Sequence, residues 1–191
     1  MAIGFYFDMT RCIGCRACQV ACKDKNRLDV GLTFRNAHTY STGSFPNIGM
    51  FSCTFSCNHC ETPACVENCP TGAMFKSEDG AVLHDDEKCI GCKTCVNSCP
   101  YQVPVIDEEQ GISRKCDSCI AIRRAGGQPA CVAGCPNRAL DFGEIEDLKA
   151  KYGEGLVSDT TVHPDSSMTG PSLLIKVKDA ATSGEPVEVA W

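Results

Sequence analysis

Sixteen of the seventeen cysteines fall into four groups of four, and thiolates grouped in this way ligate iron–sulfur clusters or zinc, or pair as disulfides. The first group is Cys12, Cys15, Cys18 and Cys22, spaced C-x2-C-x2-C-x3-C. The second is Cys57, Cys60, Cys65 and Cys69, spaced C-x2-C-x4-C-x3-C. The third, Cys89, Cys92, Cys95 and Cys99, repeats the first spacing, and the fourth is Cys116, Cys119, Cys131 and Cys135, spaced C-x2-C-x11-C-x3-C. Only Cys53 stands outside the groups.

The three-cysteine run decides between these chemistries. C-x2-C-x2-C sets three thiolates round one corner of a cuboidal cluster and leaves the intervening amides free to point at the sulfides. Gly14 and Gly91 suit such a tight loop, since residues with a Cβ dislike the backbone angles it needs. The fourth cysteine lies about one helical turn beyond the third and faces elsewhere. In two-cluster bacterial ferredoxins the last cysteine of a C-x2-C-x2-C-x3-C-P run ligates the other cluster. Pro70, Pro100 and Pro136 supply that proline here, whereas Lys23 follows Cys22. The groups are therefore expected to exchange fourth ligands in pairs. Spacing alone permits first-with-second and third-with-fourth exchange, or a nested arrangement.

Competing readings fit less well. A disulfide scaffold has no reason to repeat Cys-Ile-Gly-Cys, and no secretory signal is seen. Zinc ribbons use two C-x2-C pairs per metal, so a three-cysteine run wastes a ligand. Cys53, Cys57 and Cys60 also spell C-x3-C-x2-C, the spacing of radical S-adenosylmethionine enzymes. That reading leaves Cys65 and Cys69 unused, in a chain too short for the barrel those enzymes need. Cys53 is expected to be a buried free thiol and not a ligand. No nucleophile–base pair, phosphate loop or paired carboxylates stand out, so no catalytic residue is expected.

His59, between two ligands, is expected to fill a hydrogen-bonded position beside a cluster. Arg11, Lys88, Arg114 and Lys115 precede ligand groups, where they either offset cluster charge or lie solvated at the surface. His38, His84 and His163 have no evident ligand partners.

The elements that must position these groups also repeat. Arg11-Cys-Ile-Gly-Cys-Arg-Ala-Cys18 is echoed by Lys88-Cys-Ile-Gly-Cys-Lys-Thr-Cys95, each after a short apolar strand, Ile3–Phe7 and Ala81–His84. Cys69-Pro-Thr-Gly-Ala-Met resembles Cys135-Pro-Asn-Arg-Ala-Leu on the exit side. The pattern reads as strand, ligand loop, short helix, strand, used several times. Asp79-Gly80 predicts a hairpin joining Met74–Lys76 to Ala81–His84. Residues 23–52 and 101–114 read as connectors. Glu144–Lys151 reads as a charged helix ended by Gly153, and Leu173–Val177 as the one strand of a Ser-, Thr-, Pro- and Gly-rich tail. The fold class expected is α+β: tandem ferredoxin-like cluster-binding modules with short strands, short helices and long loops.

The net charge of −6, with no basic stripe, argues against a nucleic-acid partner. The longest apolar stretches, such as Ile3–Phe7, are too short to span a bilayer.

On these motifs the chain resembles the four-cluster iron–sulfur subunits of the dimethyl sulfoxide reductase family of molybdopterin oxidoreductases. The residues that carry the likeness are Ser56-Cys-Asn-His-Cys-Glu-Thr-Pro-Ala-Cys65, Cys69-Pro-Thr-Gly-Ala-Met74, Cys89-Ile-Gly-Cys92, Lys115-Cys-Asp-Ser-Cys119 and Cys135-Pro-Asn-Arg-Ala-Leu-Asp-Phe-Gly143. It covers residues 3 to about 150. The resemblance implies nested pairing and four [4Fe–4S] clusters. Cys12, Cys15 and Cys18 would share the first with Cys135, and Cys116, Cys119 and Cys131 the second with Cys22. Cys57, Cys60 and Cys65 would share the third with Cys99, and Cys89, Cys92 and Cys95 the fourth with Cys69. Some relatives lose the second cysteine of the third group and hold three irons there; Cys92 is present, so four are expected. Residues 1–52 with 101–150 would form one two-cluster module, residues 53–100 the other, and 151–191 an irregular tail suited to wrapping a partner.

The same resemblance implies a molybdenum- or tungsten-pterin catalytic subunit as one partner and a membrane-anchor or quinol-oxidising subunit as the other. Membrane association would come through those partners, with export alongside the catalytic subunit and a cytoplasmic complex both open. The alternative is a free-standing polyferredoxin shuttle, against which the long tail is the distinguishing feature.

Overall fold

The chain is described by a computed structural model over residues 2–189; Met1 and the last two residues of the expected tail, Ala190 and Trp191, lie outside the described residues. Strand β1, Ile3–Asp8, is buried along its whole length, as a strand covered on both faces must be. It is the middle strand of a three-stranded sheet. β8 (Leu140–Glu144) pairs with it antiparallel, and β9 (Leu173–Lys176) pairs with it parallel. Phe5, Phe7, Leu140, Phe142, Leu173 and Ile175 from these strands form much of the main core, which also takes in Phe51 and Cys53.

The two expected connectors are in fact hairpins. β2 (Arg35–Ser44) and β3 (Asn47–Ser56) pair antiparallel through a two-residue turn, with His38 opposite Cys53 and Tyr40 opposite Phe51. β6 (Val105–Asp107) and β7 (Ile112–Arg114) form a shorter equivalent. Gly43, Pro46 and Gly49 interrupt the apolar alternation that would have announced the long hairpin. The expected hairpin across Asp79-Gly80 is present as β4 (Met74–Lys76) and β5 (Val82–His84), with Gly80 at φ +83°.

Each hairpin of the connector type covers a ligand loop. A Cβ on Gly14 would lie 2.7 Å from Ser52 Oγ and 2.8 Å from Thr39 Oγ1 of the β2–β3 hairpin. One on Gly91 would lie 2.2 Å from the Gly111 carbonyl in the β6–β7 turn. Both glycines also have positive φ, so close approach and backbone angle each require them.

The helices are short: α1 (Ala17–Asn26), α2 (Ala64–Glu67), α3 (Thr94–Ser98), α4 (Ile120–Arg124), α5 (Ala130–Ala133) and α6 (Ile145–Tyr152). α6 matches the expected charged helix and ends at Gly153. α1 packs against α5, and α2 against α3. At the first crossing a Cβ on Gly134 would meet the Ala21 methyl at 2.8 Å, so glycine permits the close approach.

The tail lies on its own chain. β9 completes the main sheet, and β10 (Val187–Glu188) adds to the edge of β2. Just before β9, Ser172 N–H donates to the Asn58 carbonyl, and Glu61 and Thr62 N–H donate to the Gly170 and Thr169 carbonyls. Its length therefore no longer separates a subunit from a free shuttle.

Candidate iron–sulfur sites

The third cysteine of every group is the second residue of a helix: Cys18 in α1, Cys65 in α2, Cys95 in α3 and Cys131 in α5. The fourth cysteine is then one turn further on and aimed at the helix's neighbour. Since α1 packs on α5 and α2 on α3, the neighbours are the first group with the fourth and the second with the third.

The cavities follow from this. One is lined by Cys12, Cys15, Cys18 and Cys135, together with Gly14 and Pro136. Another is lined by Cys57, Cys60, Cys65 and Cys99, and a third by Cys69, Cys89, Cys92 and Cys95. The remaining four, Cys22, Cys116, Cys119 and Cys131, are all buried. The Cys22 thiol lies in the electrostatic field of Cys131 and Cys119, and the Cys116 thiol in that of Cys57, Cys22 and Cys131. Cys53 lines none of the three cavities. It is fully buried in the main core, 3.6 Å from His163 Nε2.

The C-x2-C loops share one backbone device. The third residue of each has positive φ: Gly14 at 69°, His59 at 46°, Gly91 at 66° and Ser118 at 54°. Glycine marks only two of these in the sequence. At His59 and Ser118 the left-handed angle costs roughly 1–2 kcal/mol, and local bonds hold it. Val82 N–H donates to His59 Nδ1 at 3.0 Å, and Ser172 Oγ donates to the His59 carbonyl at 3.1 Å. Arg123 Nη2 donates to Ser118 Oγ at 2.8 Å.

Backbone amides reach the sulfurs. Met74 N–H donates to Cys69 Sγ and Ser113 N–H to Cys89 Sγ, both at 3.5 Å. Ser118 N–H donates to Cys116 Sγ and Ala139 N–H to Cys135 Sγ, both at 3.3 Å. Hydroxyls that the spacing could not announce join them: Ser113 Oγ lies 3.1 Å from Cys95 Sγ, and Thr169 Oγ1 donates to Cys60 Sγ at 3.2 Å.

Burial favours the neutral thiol over the thiolate at most of these cysteines. Burial, reinforced by neighbouring thiolates, pushes Cys22 and Cys65 up to about 12 and Cys60 to about 11. At Cys57 burial acts in the same upward direction, yet His59 and Lys115 prevail and hold the thiol well below its ordinary range. A bound metal deprotonates such thiols and neutralises their mutual repulsion, so the donor sets fit a thiolate-ligated centre. Among the described residues no group of three or more His, Cys, Asp or Glu closes round a single ion. A zinc site would bring four sulfurs to about 2.3 Å from one point. Sulfurs spread round a cavity fit a cluster, in which each thiolate binds a separate iron.

Of the cations flanking the motifs, Lys115 alone is buried, its Nζ donating to the Val82 and Cys116 carbonyls. Arg114 pairs with Asp107 at 3.0 Å, Lys88 with Asp85 at 2.9 Å and Arg11 with Asp8 at 3.6 Å. His59 is fully buried. With Nδ1 accepting from Val82, its Nε2–H faces Cys116 Sγ at 3.9 Å, between the second and third cysteine sets. His38 and His84 pair with Glu188 and Asp86 instead.

Cysteine sets of this kind on short strands and helices define a ferredoxin-like iron–sulfur protein, and the chain belongs to the 4Fe-4S dicluster domain family, which matches residues 48–145. A 4Fe-4S binding domain also matches residues 9–27. The chain is 42% identical to the B subunit of anaerobic dimethyl sulfoxide reductase from Haemophilus influenzae, over 95% of this chain and 93% of the relative. Identity is 41% to the B subunit of the Escherichia coli reductase, over 91% and 87%, and 37% to the B subunit of polysulfide reductase from Wolinella succinogenes, over 90% and 92%. Like these, it is a non-catalytic iron–sulfur subunit of a reductase, and it transfers electrons.

Proposed function

We propose that the chain carries electrons through four [4Fe–4S] clusters between a molybdopterin catalytic subunit and a quinol-oxidising, membrane-side partner. The first cluster is assigned to Cys12, Cys15, Cys18 and Cys135, and the second to Cys22, Cys116, Cys119 and Cys131. The third belongs to Cys57, Cys60, Cys65 and Cys99, and the fourth to Cys69, Cys89, Cys92 and Cys95. When bound, the clusters supply reversible one-electron storage; the protein sets their order and surroundings.

The observation that carries this reading is the make-up of the three cavities, each lined by three cysteines of one motif and a fourth from another. The order is supported by shared neighbours. The Arg35 guanidinium lies in the field of Cys18 of the first set and of Cys22, Cys116 and Cys131 of the second, while His59 adjoins both Cys116 and Cys57. At the two ends Cys15 and Cys92 are exposed, and Ile13 and Ile90 beside them are each 67% exposed. Such apolar surface at both ends of a wire suits two docking partners. The first end is assigned to the catalytic subunit and the fourth to the membrane side, in a complex attached to the membrane through that partner.

Affinity purification of the tagged chain from its native host under anaerobic conditions tests this. A copurifying large subunit containing molybdenum or tungsten is the expected result. A chain that elutes alone, fully loaded and reducing several unrelated acceptors, would make it a soluble shuttle.

A further inference from the structure

Arg35, the first residue of β2, is only 3% exposed. Arg11, Arg114 and Arg123 each have a carboxylate partner, but Arg35 has none among the described residues. Its Nη1 donates to Thr54 Oγ1 at 3.1 Å, its guanidinium carbon sits 5.0 Å from the centre of the Phe5 ring, and its Nη2 is buried without a hydrogen-bond partner. A buried guanidinium without a counter-charge is strongly unfavourable. The cysteines that act on it most strongly are Cys131, Cys116 and Cys22 of the second set and Cys18 of the first, with the non-ligand Cys53 also within its field. Thr54, which anchors it, lies with its hydroxyl 3.9 Å from Cys18 Sγ.

We propose that Arg35 is a positioning residue for electron transfer between the first and second clusters, a fixed cation in the gap that raises the reduction potentials of both. The proposal rests on the cluster assignment above. Each cluster takes one electron from its neighbour and passes one on; no bond forms or breaks, and the guanidinium keeps its proton throughout. Each four-thiolate set becomes more negative by one charge on reduction. A cation between two sets stabilises that state in each, and the effect fades with distance toward the third and fourth. The thiolates in turn supply the counter-charge that Arg35 lacks.

The test is a redox titration of the holoprotein monitored by electron paramagnetic resonance, with the first two clusters assigned by their loss in Cys135→Ser and Cys22→Ser. Arg35→Met should lower the midpoints of those two clusters and leave the other two unmoved, and Arg35→Lys should return both toward the wild-type values. No shift in Arg35→Met, an equal shift of all four, or a lysine variant shifted as far as the methionine one would overturn the proposal. Should Arg35→Met fail to load iron, Thr54→Val decides, because it removes the anchor and leaves the charge. The second cluster, which Thr54 does not touch, should then shift downward; an unmoved second cluster overturns the proposal. Wild-type protein lacking either cluster would overturn the cluster assignment itself, and this inference with it.

Discussion

The hydroxyl of Thr169 donates to the sulfur of Cys60 at 3.2 Å, across 109 residues of chain. Thr169 is itself almost fully buried, and its carbonyl accepts from Thr62 N–H, so the tail is stitched to the second ligand loop at two points. A hydrogen bond to a cluster sulfur strengthens when the cluster is reduced and more negative. Thr169→Val should therefore lower the potential of the third cluster by about 40 mV, taking about 1 kcal/mol of difference between oxidation states. A redox titration with the other three clusters as internal references measures it, and an unchanged third midpoint would show the bond to be incidental.

Iron and sulfide analysis checks the stoichiometry. Anaerobically purified protein should hold about 16 iron and about 16 sulfide per chain, four of each per cubane. Zinc in place of iron, or half that iron, would sink the four-cluster reading.

Cys53 and Cys57 are separated by four positions and by role. Cys53→Ser should leave the iron content intact, with the new hydroxyl placed to bond His163 Nε2, which lies 3.6 Å from the present sulfur. Cys57→Ser should damage one cluster of the four. Equal damage from both would mean that the second ligand set is displaced by one cysteine.

Cys135→Ser tests the nested pairing. Cys135 lines the cavity of Cys12, Cys15 and Cys18, although its own motif begins at Cys116. The substitution should convert or abolish the first cluster and leave the second, with electrons from quinol stalling before the catalytic subunit while three clusters still reduce. Paramagnetic resonance combined with turnover assayed from both ends reads this directly. Loss of the cluster at Cys116, Cys119 and Cys131 instead would mean that each motif keeps its own ligands.

His163 should make the fold acid-sensitive. Burial lowers its folded-state value to about 4 from an ordinary 6.5. Above pH about 6.5 neither folded nor unfolded chain holds the extra proton, so the residue is neutral in the balance. Between about 6.5 and 4 only the unfolded chain takes it up, and stability falls as the pH falls, by at most about 1.4 kcal/mol per unit. His163→Leu should flatten this part of the pH dependence of thermal unfolding. A slope identical to wild type would show that His163 is protonated in the folded protein.

Much of the site was legible before the fold. The grouping of the cysteines follows from local spacing, because C-x2-C and the step of four residues to the last cysteine are distances within one loop and one helical turn. The strands Ile3–Asp8 and Met74–Lys76, and the helix that ends at Gly153, were legible for the same reason: apolar runs, a turn dipeptide and a terminal glycine act on their immediate neighbours. The hairpin at residues 35–56 was not, since its polar face and its interrupting glycines and proline blur the alternation, and its Phe51 and Cys53 are buried by strands from distant parts of the chain.

Residue types and spacing were enough to establish a thiolate-rich, cluster-binding chain of mixed short elements. Which motif lies beside which could not be read from spacing, because that depends on which helices pack together. The packing of α1 on α5 and α2 on α3 supplies the neighbour. The same holds for Arg35 and Thr169. Nothing in their local sequence marks them, and folding brings each beside cysteines distant in the chain.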